Sequence, residues 1–153
     1  MILRLLIALA LGAFVGLERE LVGKEAGVRT SMLVAAGASI FAMIGITLPY
    51  IVAISPANLP DVIARNSGFL GVVANIVVGI GFLGAGIIIQ TGEHVKGLTT
   101  AAVIWAVAAV GTLVGLGLTR FAVVSAVLMA VLLYALRKIG LYEKVRGKHR
   151  SAE

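Results

Sequence analysis

A run of 27 residues without a charge, Asn66 to Gly92, constrains this chain more than any other feature. As a helix it would be about 40 Å long, enough to cross a bilayer core of ~30 Å with some tilt. Four glycines, Gly79, Gly81, Gly84 and Gly86, crowd its second half. In a soluble helix each would cost roughly 1 kcal/mol against alanine. In lipid they let a neighbouring backbone approach closely. The run therefore reads as a buried central transmembrane helix. Gly79-Ile-Gly-Phe-Leu-Gly84 also spells a dinucleotide-binding fingerprint. That motif needs a preceding strand and an acidic residue about 20 positions on. No acid lies between Glu93 and Glu143, so the match is a coincidence of glycine density.

Other charge-free runs set the remaining spans: Leu5 to Leu17, Thr30 to Pro60, Gly97 to Thr119 and Phe121 to Leu136. The expected fold is all-α, a polytopic membrane protein of about five helices, with a transmembrane domain over 1–139 and a basic tail over 140–153. Charged residues are 13% of the chain and mean hydropathy is +1.09, which leaves no room for a sizeable water-soluble domain. With no cysteine, disulfides and thiolate metal sites are excluded. The first helix has the spacing Gly12-xxx-Gly16, a packing face that argues for a retained helix over a cleaved leader. Gly111 and Gly115 repeat that spacing in the fourth span. Pro49 should end the second helix, and Ser55 to Pro60 should form a loop with a short helical turn at Asp61 to Arg65. Thr99 or Thr100 is the expected cap of the fourth helix. The turn at Thr119-Arg120 is short enough to make the last two helices antiparallel neighbours.

The net charge of +6 does not point to nucleic acid, because six basic residues fall in the last 17. A basic tail after an apolar helix is an orientation signal. Placing the loop Glu18 to Arg29, the loop Gly92 to Gly97 and the tail on one side collects ten of the 13 Lys and Arg there. Positive-inside then puts the C-terminus in the cytoplasm and the N-terminus outside. The bilayer itself is a partner, with anionic headgroups a further target of the tail.

Two polar constellations then share the inner face. The first is Glu18-Arg19-Glu20, with Arg29 and Thr30 at the start of the second helix. Met1 to Leu17 is only about 25 Å long as a helix, so these charges sit at the membrane edge, where Arg29 is the expected counter-ion of one carboxylate. A salt-bridged hairpin explains them as readily as a functional cluster. The second constellation runs from Glu93-His94 through Lys96, Thr99 and Thr100, where a helix N-terminus would favour an anion; ordinary loop and cap chemistry explains it equally well. Within the spans Asn75 is the strongest polar group, and interhelical hydrogen bonding is its commoner role. Trp105 reads as an interface anchor. His94 and His149 do not pair into a metal site. No nucleophile–base pair or carboxylate pair stands out, so neither enzymatic activity nor a cofactor is expected.

Glu18-Arg-Glu20, Gly27-Val-Arg-Thr30, Gly79-Ile-Gly-Phe-Leu-Gly-Ala-Gly86 and Gly97-Leu-Thr-Thr-Ala-Ala102 with Trp105-Ala-Val-Ala-Ala109 occur in this order. Together they resemble the MgtC/SapB family of bacterial membrane proteins, from about Leu3 to Arg137. The resemblance implies a small inner-membrane protein of about five helices, tied in some members to growth at low magnesium and survival in host phagocytes. Ser31 stands where the family commonly has His, and Asn75 and Val78 where it commonly has Gln and Ser. The cytoplasmic C-terminal domain of larger members is not expected in this chain. An ATPase label does not fit, since there is no phosphate-binding loop. Two functions follow as expectations. One is a regulatory membrane protein acting on another membrane complex and assembling as a homo-oligomer. The other is an oligomeric transporter or channel for a cation such as magnesium or a small metabolite.

Overall fold

The described residues form six α-helices and one pair of antiparallel strands: α1 Ile2–Leu21, α2 Val28–Val52, α3 Leu59–Arg65, α4 Gly68–Ile87, β1 Ile89–Thr91, β2 His94–Lys96, α5 Leu98–Gly115 and α6 Thr119–Arg150. A single 3-10 turn, Pro56–Asn58, precedes α3. The computed structural model describes residues 1–53, 55–65, 68–91 and 94–150; of 65, 68–70, 91, 94 and 140–150 it describes the backbone alone. Glu93, the first residue of the expected inner loop motif, lies outside the described residues. Among the described residues three helices are long and apolar enough to cross a membrane: α2, α5 and the segment Thr119–Ile139 of α6. A shorter apolar stretch, Gly71–Ile87, lies in α4. The protein is thus an all-α, multi-pass membrane protein, as the charge-free runs imply.

The core is a three-helix contact of α1, α2 and α5. On α1 the buried residues Ala8, Gly12, Val15, Gly16 and Arg19 recur at helical spacing and form one stripe. A methyl group added at Gly12 would come within 2.5 Å of the Ser31 carbonyl oxygen, and one at Gly16 within 2.8 Å of Gly27 O and Val28 Cα. Rising numbers on α1 meet falling numbers on α2, so the two run antiparallel. On α5, Gly111 faces the backbone of Ala35, and a methyl at Gly115 would reach 2.5 Å from Ser39 O. Numbers rise together there, so α2 and α5 are parallel. In each pair glycine meets Ser or Ala, and the backbones touch. That is the association geometry available to helices whose surroundings are as apolar as their side chains.

The buried centre is α5, with Ile104, Val107 and Val114 at 1% exposure or less. This corrects the expectation that the glycine-rich helix is central. That helix, α4, lies at the rim against α2 and α5, and Gly84 is its one buried residue among those described. Methyls added at Gly79, Gly81 or Gly86 would meet nothing within 4 Å, and at Gly84 only Ala101 Cβ at an ordinary 3.6 Å. Glycine permits close approach without compelling it. The contact forms where the facing helix is also built of small residues, as α2 is at Ser31, Ala35 and Ser39.

Three boundaries also differ from expectation. α2 runs through Pro49 to Val52; a proline near the end of a helix removes one hydrogen bond while the rest of the last turn persists. α5 starts at Leu98 after Gly97, which takes φ +87° and makes no side-chain cap, so neither Thr99 nor Thr100 is the cap. A side chain at Gly97 would also collide with the Ile87 carbonyl. α6 continues to Arg150, past the Leu136 end of its charge-free run.

Candidate functional site

Polar side chains gather at the end of the bundle where α1 stops, α2 starts, the hairpin turns and α5 begins. α1 closes there with paired hydrogen bonds, Gly23 N–H to Glu20 O at 3.0 Å and Lys24 N–H to Arg19 O at 3.1 Å. Gly23 takes φ +67°, the left-handed residue this helix ending requires. The chain then returns into α2, whose first N–H groups have no intrahelical acceptor. Glu20 fills part of that need: its Oε2 accepts from Val28 N–H at 2.9 Å. A carboxylate at a helix N-terminus is favoured by charge as well as by the hydrogen bond. Gly27 makes this possible, because a methyl there would sit 2.8 Å from the same oxygen. Glu18-Arg-Glu20 and Gly27-Val-Arg-Thr30, far apart as sequence blocks, are therefore one device.

Arg19 behaves differently. It is 4% exposed and continues the buried stripe of α1. Its Nη1 lies 3.8 Å from Glu18 Oε2, an ion pair outside hydrogen-bond range. Neighbouring residues on a helix point about 100° apart, which keeps the pair loose. Arg19 Nε and Nη2 and Glu18 Oε2 are buried without hydrogen-bond partners. The expected partner, Arg29, is exposed instead. Among the described residues no ion pair joins it to Glu18 or Glu20, a correction whose cause is geometric. Glu20 is turned onto the α2 backbone, and Glu18 is taken by Arg19. Thr30 is half-buried, Lys96 and Thr99 are exposed, and Thr100 is buried. Arg4 sits against the C-terminal end of α5, so α1 and α5 are antiparallel, and Arg19, about 22 Å further along α1, is level with Thr100. The site thus unites Glu18, Arg19 and Glu20 with the start of α2, has Thr100 buried at the same level, and leaves Arg29, Lys96 and Thr99 at its surface. Among the described residues no group of three or more His, Cys, Asp or Glu comes together.

At the opposite end lies Arg4, one of the three basic residues outside the inner-face groups. Its Nη1 donates to Gly115 O at 2.9 Å. α5 ends there with Leu118 N–H to Leu113 O and Gly117 N–H to Val114 O, and Gly117 has φ +87°. Arg4 thus satisfies a carbonyl that the turn leaves free. Ser31 stands out in the sequence only as a departure from the family pattern, and Ser39 not at all. Both are fully buried on α2 with hydroxyls that have no partner, while Thr112 and Thr47 bond the carbonyls of Ala108 and Met43 one turn back. The alternation of small residues on α2 was a visible signal for the serines; nothing local announced Arg4.

Asn75 is exposed on α4. It lies in a groove between α2 and α4 of about 500 Å³, lined by Gly37, Ala38, Val72 and Gly79 among others. Trp105, half-exposed, borders a second crevice between α4 and α5.

Comparison with known proteins places this arrangement. The MgtC family model matches residues 5–141. The chain is 41% identical over 128 residues to Protein MgtC of Salmonella typhimurium, covering 84% of this chain and 48% of that one. It is 39% identical over 132 residues to Protein MgtC of Brucella abortus, covering 86% and 49%. An uncharacterized protein of Synechocystis is 40% identical over 148 residues, 97% of this chain and 57% of its own length. The chain thus spans about half the length of the curated relatives it matches. No solved structure matches. With the family model spanning all six helices up to the second half of α6, this chain belongs to the MgtC family.

Proposed function

We propose that the protein is a regulatory membrane protein of the bacterial inner membrane. It modulates another membrane complex during adaptation to low magnesium or host stress, with its N-terminus outside and the Glu18–Thr100 end in the cytoplasm. The observation that carries this reading is the closure of the α1/α2/α5 core. At Gly12, Gly16, Gly111 and Gly115 the helix backbones are so close that a single methyl would overlap them. No solvated ion fits between elements packed at that distance. The exposed charged groups Glu20, Arg29 and Lys96 instead sit at one end of the bundle, where a neighbouring protein can reach them. Beside them the Arg19 guanidinium is buried with unfilled donors, and such a group binds carboxylate or phosphate strongly when one is offered. The names of the relatives support the family setting.

The test has two arms. A bacterial strain lacking its own family member should regain growth at low magnesium when given this chain, and an Arg19→Gln variant that accumulates normally should not restore it. Purified protein in liposomes should give no saturable magnesium flux. Selective, saturable flux from the pure protein would overturn the regulatory reading in favour of transport.

A further inference from the structure

The groove between α2 and α4 is built unlike the rest of the helix contacts. In the α1/α2/α5 core Gly12, Gly16, Gly111 and Gly115 are filled by a facing backbone. Here methyls added at Gly37, Gly71 or Gly79 would meet nothing within 4 Å. A second cavity of about 370 Å³, nearer Pro49 and Val62, shares Val72 and Asn75 with the first. The two therefore form one groove along α2 and α4, with Asn75 where they meet. Among the described residues no hydrogen bond engages the Asn75 side chain. It lies seven residues into α4, about 10 Å from the start of that apolar helix, and a hydrocarbon core around it would offer no hydrogen-bond partner. Phe82, two turns on and on the same stripe of the helix, is 85% exposed.

We propose that this groove is the contact between two copies of the chain, paired through Asn75 on a twofold axis along the membrane normal. Three features select a second copy as the occupant. A carboxamide carries both donor and acceptor, so it is self-complementary. Copies inserted in the same orientation place Asn75 at identical depth, so each finds the other without a partner evolved to match it. The exposed Phe82 is a projection on the Asn75 stripe, and the open space at Gly37 and Gly79 is a hollow in the apolar groove, the pairing an isologous contact needs. An acyl chain would fill the volume and leave the amide unbonded. This inference stands apart from the proposed function, since a dimer could regulate or transport.

The experiment uses the full chain in liposomes, in the cysteine-free background that the sequence provides. Gly79→Cys should form a disulfide-linked dimer on mild oxidation. Leu132→Cys, exposed on α6, should not. Asn75→Leu should weaken dimerisation by about three- to thirtyfold, the range expected for an intramembrane hydrogen bond, without lowering the thermal stability of the monomer in detergent. Asn75→Gln, which keeps donor and acceptor, should retain most of the dimer. The proposal falls if Asn75→Leu dimerises as well as wild type or if Leu132→Cys crosslinks in preference. It falls equally if the chain stays monomeric at every protein-to-lipid ratio while native mass spectrometry finds lipid or another protein held in the groove.

Discussion

Glu20 and Arg4 perform one task at opposite ends of the same bundle: a carboxylate covers the open N–H groups of α2, and a guanidinium covers an open carbonyl of α5. Each also carries the charge that the local helix end favours. Removing the first should have a defined cost. Glu20→Ala should lower stability by about 1 kcal/mol, the usual worth of an N-cap. Gly27→Ala, which displaces the carboxylate, should cost a similar amount, and the double variant should lose little more than either alone. Thermal unfolding in detergent checks all three. For Arg29→Ala we expect a change within about 0.5 kcal/mol, since the residue is exposed and unpaired. Arg19→Ala should cost up to about 3 kcal/mol, because Glu18 is then left with a buried, unpaired charge; adding Glu18→Gln should recover part of it. A loss at Arg29 larger than that at Arg19 would contradict the pairing seen here.

Between elements, two classes of glycine separate. Gly12, Gly16, Gly111 and Gly115 touch a neighbouring backbone, while Gly79, Gly81 and Gly86 face open space. Gly111→Leu should therefore prevent folding, since even the first carbon would overlap Ala35 and overpacking of this kind costs ~1–3 kcal/mol or more. Gly81→Leu should leave the monomer as stable as wild type in detergent. Equal damage from both would mean that α4 packs more deeply than described. The serines on α2 belong to the same contact. Their hydroxyls have no partner, so Ser31→Ala and Ser39→Ala should be neutral or stabilising by up to about 1 kcal/mol in the same unfolding measurement.

On the scale of the whole molecule, the long helices carry their apolar faces outward and their small residues inward. α6 shows this most plainly: Ala122 and Ala126 are fully buried while Leu128, Leu132 and Leu136 are exposed. In water that surface would be an aggregation liability; in a bilayer it is the solvent-facing side. The orientation proposed above has a direct check. A cysteine placed at Asn58 should be labelled by a membrane-impermeant reagent from outside, and one at Lys138 only after the membrane is opened. Labelling of Asn58 from the cytoplasmic side alone would reverse the topology.

The sequence by itself determined the all-α, multi-pass character, the antiparallel packing of α5 and α6, and the clustering of Glu18 to Glu20 with Gly27 to Thr30 at one end; the turn expected at Thr119-Arg120 lies just before it, at Leu116 to Leu118, because Thr119 already opens α6. These are local or periodic properties, written in charge-free runs and glycine turns. It did not determine which glycines would be used. Gly79-Ile-Gly-Phe-Leu-Gly-Ala-Gly86 holds the densest glycines of the chain, yet the backbone contacts between helices fall at Gly12, Gly16, Gly111 and Gly115. Close approach takes two surfaces, and only the tertiary structure decides that α2 offers Ala35 and Ser39 to α5 and not to α4. Counter-charges followed the same logic. Arg29 is nearer in sequence to Glu20 than Arg4 is to Gly115, but a charge pairs with what the helix axes bring to its level, and the direction and depth of packed helices are set by every contact along them at once.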